Sequence, residues 1–101
     1  NIKPQAALEL DRLVELMKKY PEMIIRVEAH TDTQGNATYN KGLSNRRAQA
    51  TVQYVISKGI SKDRISGVGM GQENPIVKCG ANCTEADHAK NRRSEFIILK
   101  R

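Results

Sequence analysis

The stretch EAHTDTQG, residues 28–35, sets His30, Asp32 and two threonines where an apolar segment runs into a glycine turn. Fifteen residues past Asp32, the stretch LSNRRA supplies Arg47. Four kinds of chemistry are open to such a set. It could be a metal site, a catalytic carboxylate, a turn with incidental polarity, or half of a receptor for a zwitterion. Turn or cap duty is the ordinary role of an aspartate at this kind of position, and a helix arginine is ordinarily a solvated charge. A hydrolase would have to combine His30, Asp32 and Ser44, yet no glycine elbow surrounds the serine and the base-to-nucleophile spacing is unconvincing. His30 falls on the polar side of its segment, where a histidine is more often solvated than a ligand. An acid and an arginine a few ångströms apart, by contrast, suit a carbon that carries both an ammonium and a carboxylate. The arginine's planar fork matches the carboxylate with two parallel hydrogen bonds.

Two further groups of residues invite chemistry. Cys79 and Cys83 lie in CGANC, inside a Gly/Asn-rich loop. Such a pair can be a disulfide, a metal clip or two independent thiols. Zinc would need two more ligands, for which His30 and His88 are the candidates, and Cys-x3-Cys with isolated histidines matches zinc sites poorly. We read the pair as a disulfide, which points to an oxidising compartment such as the periplasm. Gly67, Gly69 and Gly71 suggest a dinucleotide fingerprint at first glance. They are spaced GxGxG, Gln72 stands where the third glycine should fall, and no helix follows at once, so the pattern does not carry nucleotide binding.

The elements that must position these residues follow from periodicity. KPQAALELDRLVELMKKY reads as a helix opening near Pro4, with Ala6, Leu10, Leu13, Met17 and Tyr20 as its apolar stripe, widened by Leu8, Val14 and Leu16. After Pro21, MIIRVEAHT alternates: Met23, Ile25, Val27 and Ala29 face one way, and Ile24, Arg26, Glu28 and His30 the other. A second helix covers YNKGLSNRRAQATVQYVISKG, its inner face made by Ala48, Val52, Val55, Ile56 and Gly59. Asn40, Leu43 and Arg47 align along one side of its first turns, beside the strand end that precedes Asp32. A strand at Ile65–Met70, a short helix capped by Thr84 with Asp87, and a last strand in RRSEFIILK complete the order. The expected architecture is α/β (α+β): one domain over residues 1–101, with a sheet covered on one face by two helices.

Composition narrows the function classes. The chain is 39% hydrophobic and 28% charged, ordinary for a globular domain, and no stretch is long and apolar enough to span a bilayer. Its opening on NIKPQ reads as a piece of something longer, so any membrane anchor would lie outside it. Seventeen basic against eleven acidic residues give a formal charge of +6, which permits a polyanionic partner. A basic nucleic-acid-binding domain is therefore the alternative function. The bases are scattered, however, and the four aromatics are few for base stacking.

The combined motifs (HTD, then N-x-x-LS-x-x-RA, G-x-G-x-x-x-P and NRR) closely resemble the OmpA-like domain. That domain is the peptidoglycan-binding module of outer-membrane proteins, peptidoglycan-associated lipoproteins and flagellar stator proteins. The resemblance covers nearly the whole chain. It implies a two-layer sandwich with a mixed sheet, no catalysis, no cofactor or metal, and non-covalent binding of cell-wall stem peptides through diaminopimelate. It also implies periplasmic placement and no nucleic-acid partner. Under it, Asp32 holds the ligand's ammonium, Arg47 holds its carboxylate, Asn40 opens the second helix, and Arg92 stands at the rim. Asn1 matches a site residue that follows the family's first strand; that strand would lie upstream, leaving the sheet one strand short. The loop closed by Cys79 and Cys83 resembles a subset of these domains.

Overall fold

The computed structural model describes residues 4–100. The elements run α1 (Pro4–Lys19), β1 (Ile24–His30), α2 (Ala37–Ser57), β2 (Ile65–Gly71), α3 (Glu85–Asn91) and β3 (Arg93–Lys100). Single 3-10 turns at Lys62–Arg64 and Gly80–Asn82, which periodicity did not anticipate, complete the set. β1 is central, parallel to β2 and antiparallel to β3, so the sheet is mixed with order β2-β1-β3.

The core lies between the sheet and helices α1 and α2. Leu10, Val14 and Met17 of α1 meet Val52 and Val55 of α2 over Ile25, Val27 and Ile65 of the strands. The α1 stripe is narrower than its sequence suggests. Leu8, Leu16 and Tyr20 are exposed, as is Ala6 at its first turn, because one helix can rest only about a third of its circumference on the core. The buried face of α2 is Asn40, Ser44, Ala48, Val52 and Val55. It therefore takes in two polar residues near the helix start, while Gly59 is exposed at its end.

Local chemistry explains the boundaries. Asn36 caps α2 by accepting the Tyr39 amide at 3.0 Å, which starts the helix two residues earlier than its apolar pattern implies. Thr84 and Asp87 form a reciprocal capping box on α3. Arg64 donates to the carbonyls of Met17, Tyr20 and Met23 at 2.6–3.1 Å, tying the last turn of α1 to the entry of β2.

The closest approach is between α2 and β2. A Cβ on Gly69 would stand 2.2 Å from the Asn45 amide nitrogen and 2.5 Å from Ser44 Oγ. Helix backbone cannot give way there. Gly69→Ala should destabilise the fold by at least the top of the ~1–3 kcal/mol range for overpacking. Gly42→Ala inside α2, where the nearest atom is the mobile Arg46 guanidinium at 3.4 Å, should instead stabilise by up to about 1 kcal/mol. Urea midpoints of the two variants against wild type check both signs.

Candidate functional site

The site forms where β1 ends. After His30 the chain leaves the sheet, and Asp32 is 9% exposed at the start of the loop to α2. Its Oδ1 accepts the Gln34 backbone amide at 3.0 Å. Its Oδ2 accepts Gln34 Nε2 at 3.2 Å and the Arg92 guanidinium at 2.7 Å. Burial alone would push the carboxyl pKa up, but the bonds from Arg92 and Gln34 outweigh it and hold the group below its usual range. Arg92 also grips Glu85 on the first turn of α3 and stays charged, its pKa raised by these two carboxylates.

Asn40 is buried rather than presented to solvent. Its Nδ2 donates to the Gln34 carbonyl at 2.8 Å and to Gln72 Oε1 at 2.7 Å. The asparagine thus binds the Asp32 loop to α2 and to the segment after β2. Asp32, Gln34, Asn40, Gln72, Arg92 and Glu85 make one connected polar network. Gln34, Gln72 and Glu85 were not read from sequence as site residues, because nothing in their spacing marks a loop that folds back on itself.

Arg47 stands apart from that network. It is exposed, and its guanidinium makes no hydrogen bond among the described residues. It lines an open groove of about 650 Å³ between α1, α2 and β3, with Ala29, Arg46, Arg92, Arg93 and Phe96. The ion-pair partner of Asp32 is Arg92; Arg47 and Arg92 share the groove. Asn1 lies outside the described residues.

One sequence expectation is corrected by the structure, and one rejected alternative loses its nucleophile. His30 is buried, at 4% exposure. Alternation placed it on the face away from the helices, but it could not show that the cross-strand neighbour Arg93 would be pinned there. Arg93 donates to the carbonyls of Asn91 and Asn74. Ser44, the nucleophile of the hydrolase alternative, is wholly buried. Its Oγ donates to the Lys41 carbonyl and accepts the Gly71 amide, each at 2.9 Å. It is a structural clamp.

Cys79 and Cys83 are joined, with Cα atoms 5.1 Å apart, in the loop leading to α3. Asn91, fully buried, holds that loop from the other side through both the N–H and the carbonyl of Val77. Arg92, which lines the groove, thus follows a helix anchored at both ends.

The OmpA family model matches residues 1–92. The chain belongs to the OmpA family. It is 41% identical over 101 residues to outer membrane protein A of Escherichia fergusonii, covering 98% of this chain and 40% of that protein. It is 37% identical over 99 residues to the peptidoglycan-associated lipoprotein of Rhizobium meliloti (strain 1021), covering 97% of this chain and 54% of that one. The crystal structure of the peptidoglycan-associated lipoprotein from Burkholderia pseudomallei superposes with a TM-score of 0.87 at 26% identity, covering 97% of this chain and 80% of that chain. The chain therefore spans about half, or less, of the curated relatives' length. The OmpA-like α/β fold expected from the motifs is the fold observed. No helix among the described residues is long and apolar enough to cross a membrane.

Two outcomes follow from the network. Because the folded-state pKa of Asp32 is depressed, its stabilisation is fully present above the unfolded value of about 3.9 and is lost as pH falls through the folded value. Asp32→Asn should lower stability at pH 7 and flatten the loss below about pH 4, as read from urea midpoints across pH. Reduction of the bridge, which closes a separation of four residues, should cost up to about 2 kcal/mol. Calorimetry of oxidised and reduced protein measures it, with a thiol assay confirming the two states.

Proposed function

We propose that this domain binds peptidoglycan non-catalytically, through the diaminopimelate of its stem peptides, and anchors an outer-membrane-associated protein to the cell wall from the periplasmic side. The observation that carries the reading is the charge pairing at the site. An aspartate held ionised lies one ion pair away from a groove that presents Arg47, whose guanidinium is unengaged among the described residues. Diaminopimelate ends in an ammonium and a carboxylate on one carbon, so it needs one receptor of each sign. A carboxylate offers about four acceptor positions, of which Asp32 has filled three; the fourth, on Oδ1, takes the ammonium. Arg47 takes the carboxylate with its fork, Arg92 borders both, and Asn40 holds the loop in register. Asn1 is assigned to the same site on the family pattern alone.

The relatives support this reading: the Rhizobium and Burkholderia proteins are named for association with peptidoglycan. The disulfide agrees with an oxidising compartment. Charge-assisted bonds contribute about 1.5–3 kcal/mol each, which gives modest affinity for one stem. The polymer presents many stems, so retention on the wall can exceed single-site affinity. Four arginines in the groove also favour a polyanion, which keeps a nucleic-acid ligand as the competing reading.

Retention on purified sacculi, run beside a DNA column, separates the two. Arg47→Ala and Asp32→Asn should each reduce sacculus retention at least tenfold with circular dichroism unchanged, and Arg47→Lys should bind poorly because an ammonium cannot reproduce the fork. Diaminopimelate should shift amide signals of Asp32, Asn40 and Arg47 in an NMR titration, and lysine, lacking the adjoining carboxylate, much less. Wild-type retention by both single variants, or DNA binding lost steeply with salt while sacculi are ignored, would overturn the proposal.

A further inference from the structure

The face of the sheet away from the helices carries a second group of residues that the peptidoglycan reading does not use. Glu28 and His30 are two residues apart on β1 and so project from the same face. Glu95 of β3 is the antiparallel partner of Glu28. A carboxylate oxygen from each glutamate and a ring nitrogen of His30 all lie within 4.8 Å of one another. Both nitrogens of His30 are buried and neither has a hydrogen-bond partner among the described residues. An imidazole with no partner on either nitrogen is costly in a folded interior.

We propose that Glu28, His30 and Glu95 bind a divalent transition-metal ion of the zinc type, bridging the central strand to the edge strand. Two carboxylate oxygens and one imidazole nitrogen are a donor set that zinc accepts, with further positions left for water. The carboxylates are preset for it. Arg26 engages Glu28 through Oε2 at 2.9 Å, and Arg93 engages Glu95 through Oε2 at 2.6 Å. Neither Oε1 makes a hydrogen bond among the described residues. Two glutamates directly opposite across a ladder repel one another, and a cation between them removes that cost. Bonds of about 2.0–2.2 Å to the ion bring ligand atoms to roughly 3.3–3.5 Å of each other, so the widest separation in the group must close by up to about 1.5 Å. Glu95, with its side chain 42% exposed, has room to make that move. Burial, and then the charge of Arg93, hold the His30 pKa below its ordinary value against the opposing pull of Glu95 and Glu28. The ring is therefore neutral, as a ligand must be, at pH 7.

Calorimetric titration of the whole oxidised chain with Zn2+ alone tests this, since the bridged cysteines do not compete. One equivalent should bind, and Zn2+ should raise the melting temperature. Glu28→Gln and Glu95→Gln, which keep side-chain size, should each weaken binding at least tenfold. His88→Gln, which removes the other histidine, should leave binding unchanged. The His30 ring signals should move on addition of one equivalent. Absence of stoichiometric binding up to millimolar Zn2+ would overturn the proposal. So would binding that survives in the double glutamate variant, or binding that disappears with His88.

Discussion

The contact on which the other positions depend is the seating of α2 on the glycine strand. β2 is an edge strand, and edge strands leave backbone groups in need of partners. Here α2 supplies them: Asn45 Oδ1 accepts the Gly69 amide at 2.7 Å, Ser44 Oγ accepts the Gly71 amide at 2.9 Å, and Gln49 donates to the Gly67 carbonyl at 3.1 Å. Helix side chains can reach strand backbone in this way only if the strand carries no side chains in between. That explains the glycine at every second position. It also fixes the rotation of α2, and with it the direction of each neighbouring residue. Ser44 and Ala48 face inward, Asn40 reaches the loop, and Arg47 is left in the groove. The glycines that look like a nucleotide fingerprint serve close packing.

The site is held by charge more than by apolar contact. Arg92 lies between Asp32 and Glu85, so one guanidinium joins the β1–α2 loop to the start of α3. The pair at Asp32 is partly buried, with 13% of the acid's side chain and 34% of the arginine's exposed, so solvent screens it less than a fully exposed bridge. Glu85 is largely exposed and adds little energy; its use is to orient the guanidinium. A preformed arrangement of this kind lowers the ordering cost of binding. It also means that a cationic ligand must share Asp32 with Arg92 or turn it aside.

Much of this was legible in the sequence because it depends on local periodicity and capping. The alternation of Met23 to Ala29, the α1 stripe and the Thr84–Asp87 box each point to their elements without tertiary information, and the element order follows. Asp32 and Arg47 stood out by residue type, but their ligand roles, like that of Arg92, were assigned through motif resemblance, since spacing alone leaves an aspartate after a strand as an ordinary turn residue. What stayed hidden depends on contacts between residues far apart in the chain. The bond from Asn40 to Gln72 spans 32 residues and that from Arg92 to Asp32 spans 60. The burial of His30 is of the same kind. Period-two alternation assigns a face, but it cannot say whether that face is wet.

His30 and Asp32 are close in sequence yet answer to different constraints, and the irregularity in the ladder is what separates them. Ala29 pairs with Gly69 but His30 pairs with Gly71, so β2 carries one extra residue at this point. Gly71 has a φ of 60°, a left-handed conformation that glycine adopts freely. Its carbonyl accepts the Thr31 amide at 3.0 Å, the last bond between the two strands before β1 departs. A bulge of this type bends the strand and ends pairing. His30 is thereby kept within the sheet among Glu28, Arg93 and Glu95, while Asp32, two residues on, is released toward Gln34 and Arg92. The acid thus follows directly on a residue whose amide is held by a glycine of a different strand, thirty-nine residues after Asp32 in the chain.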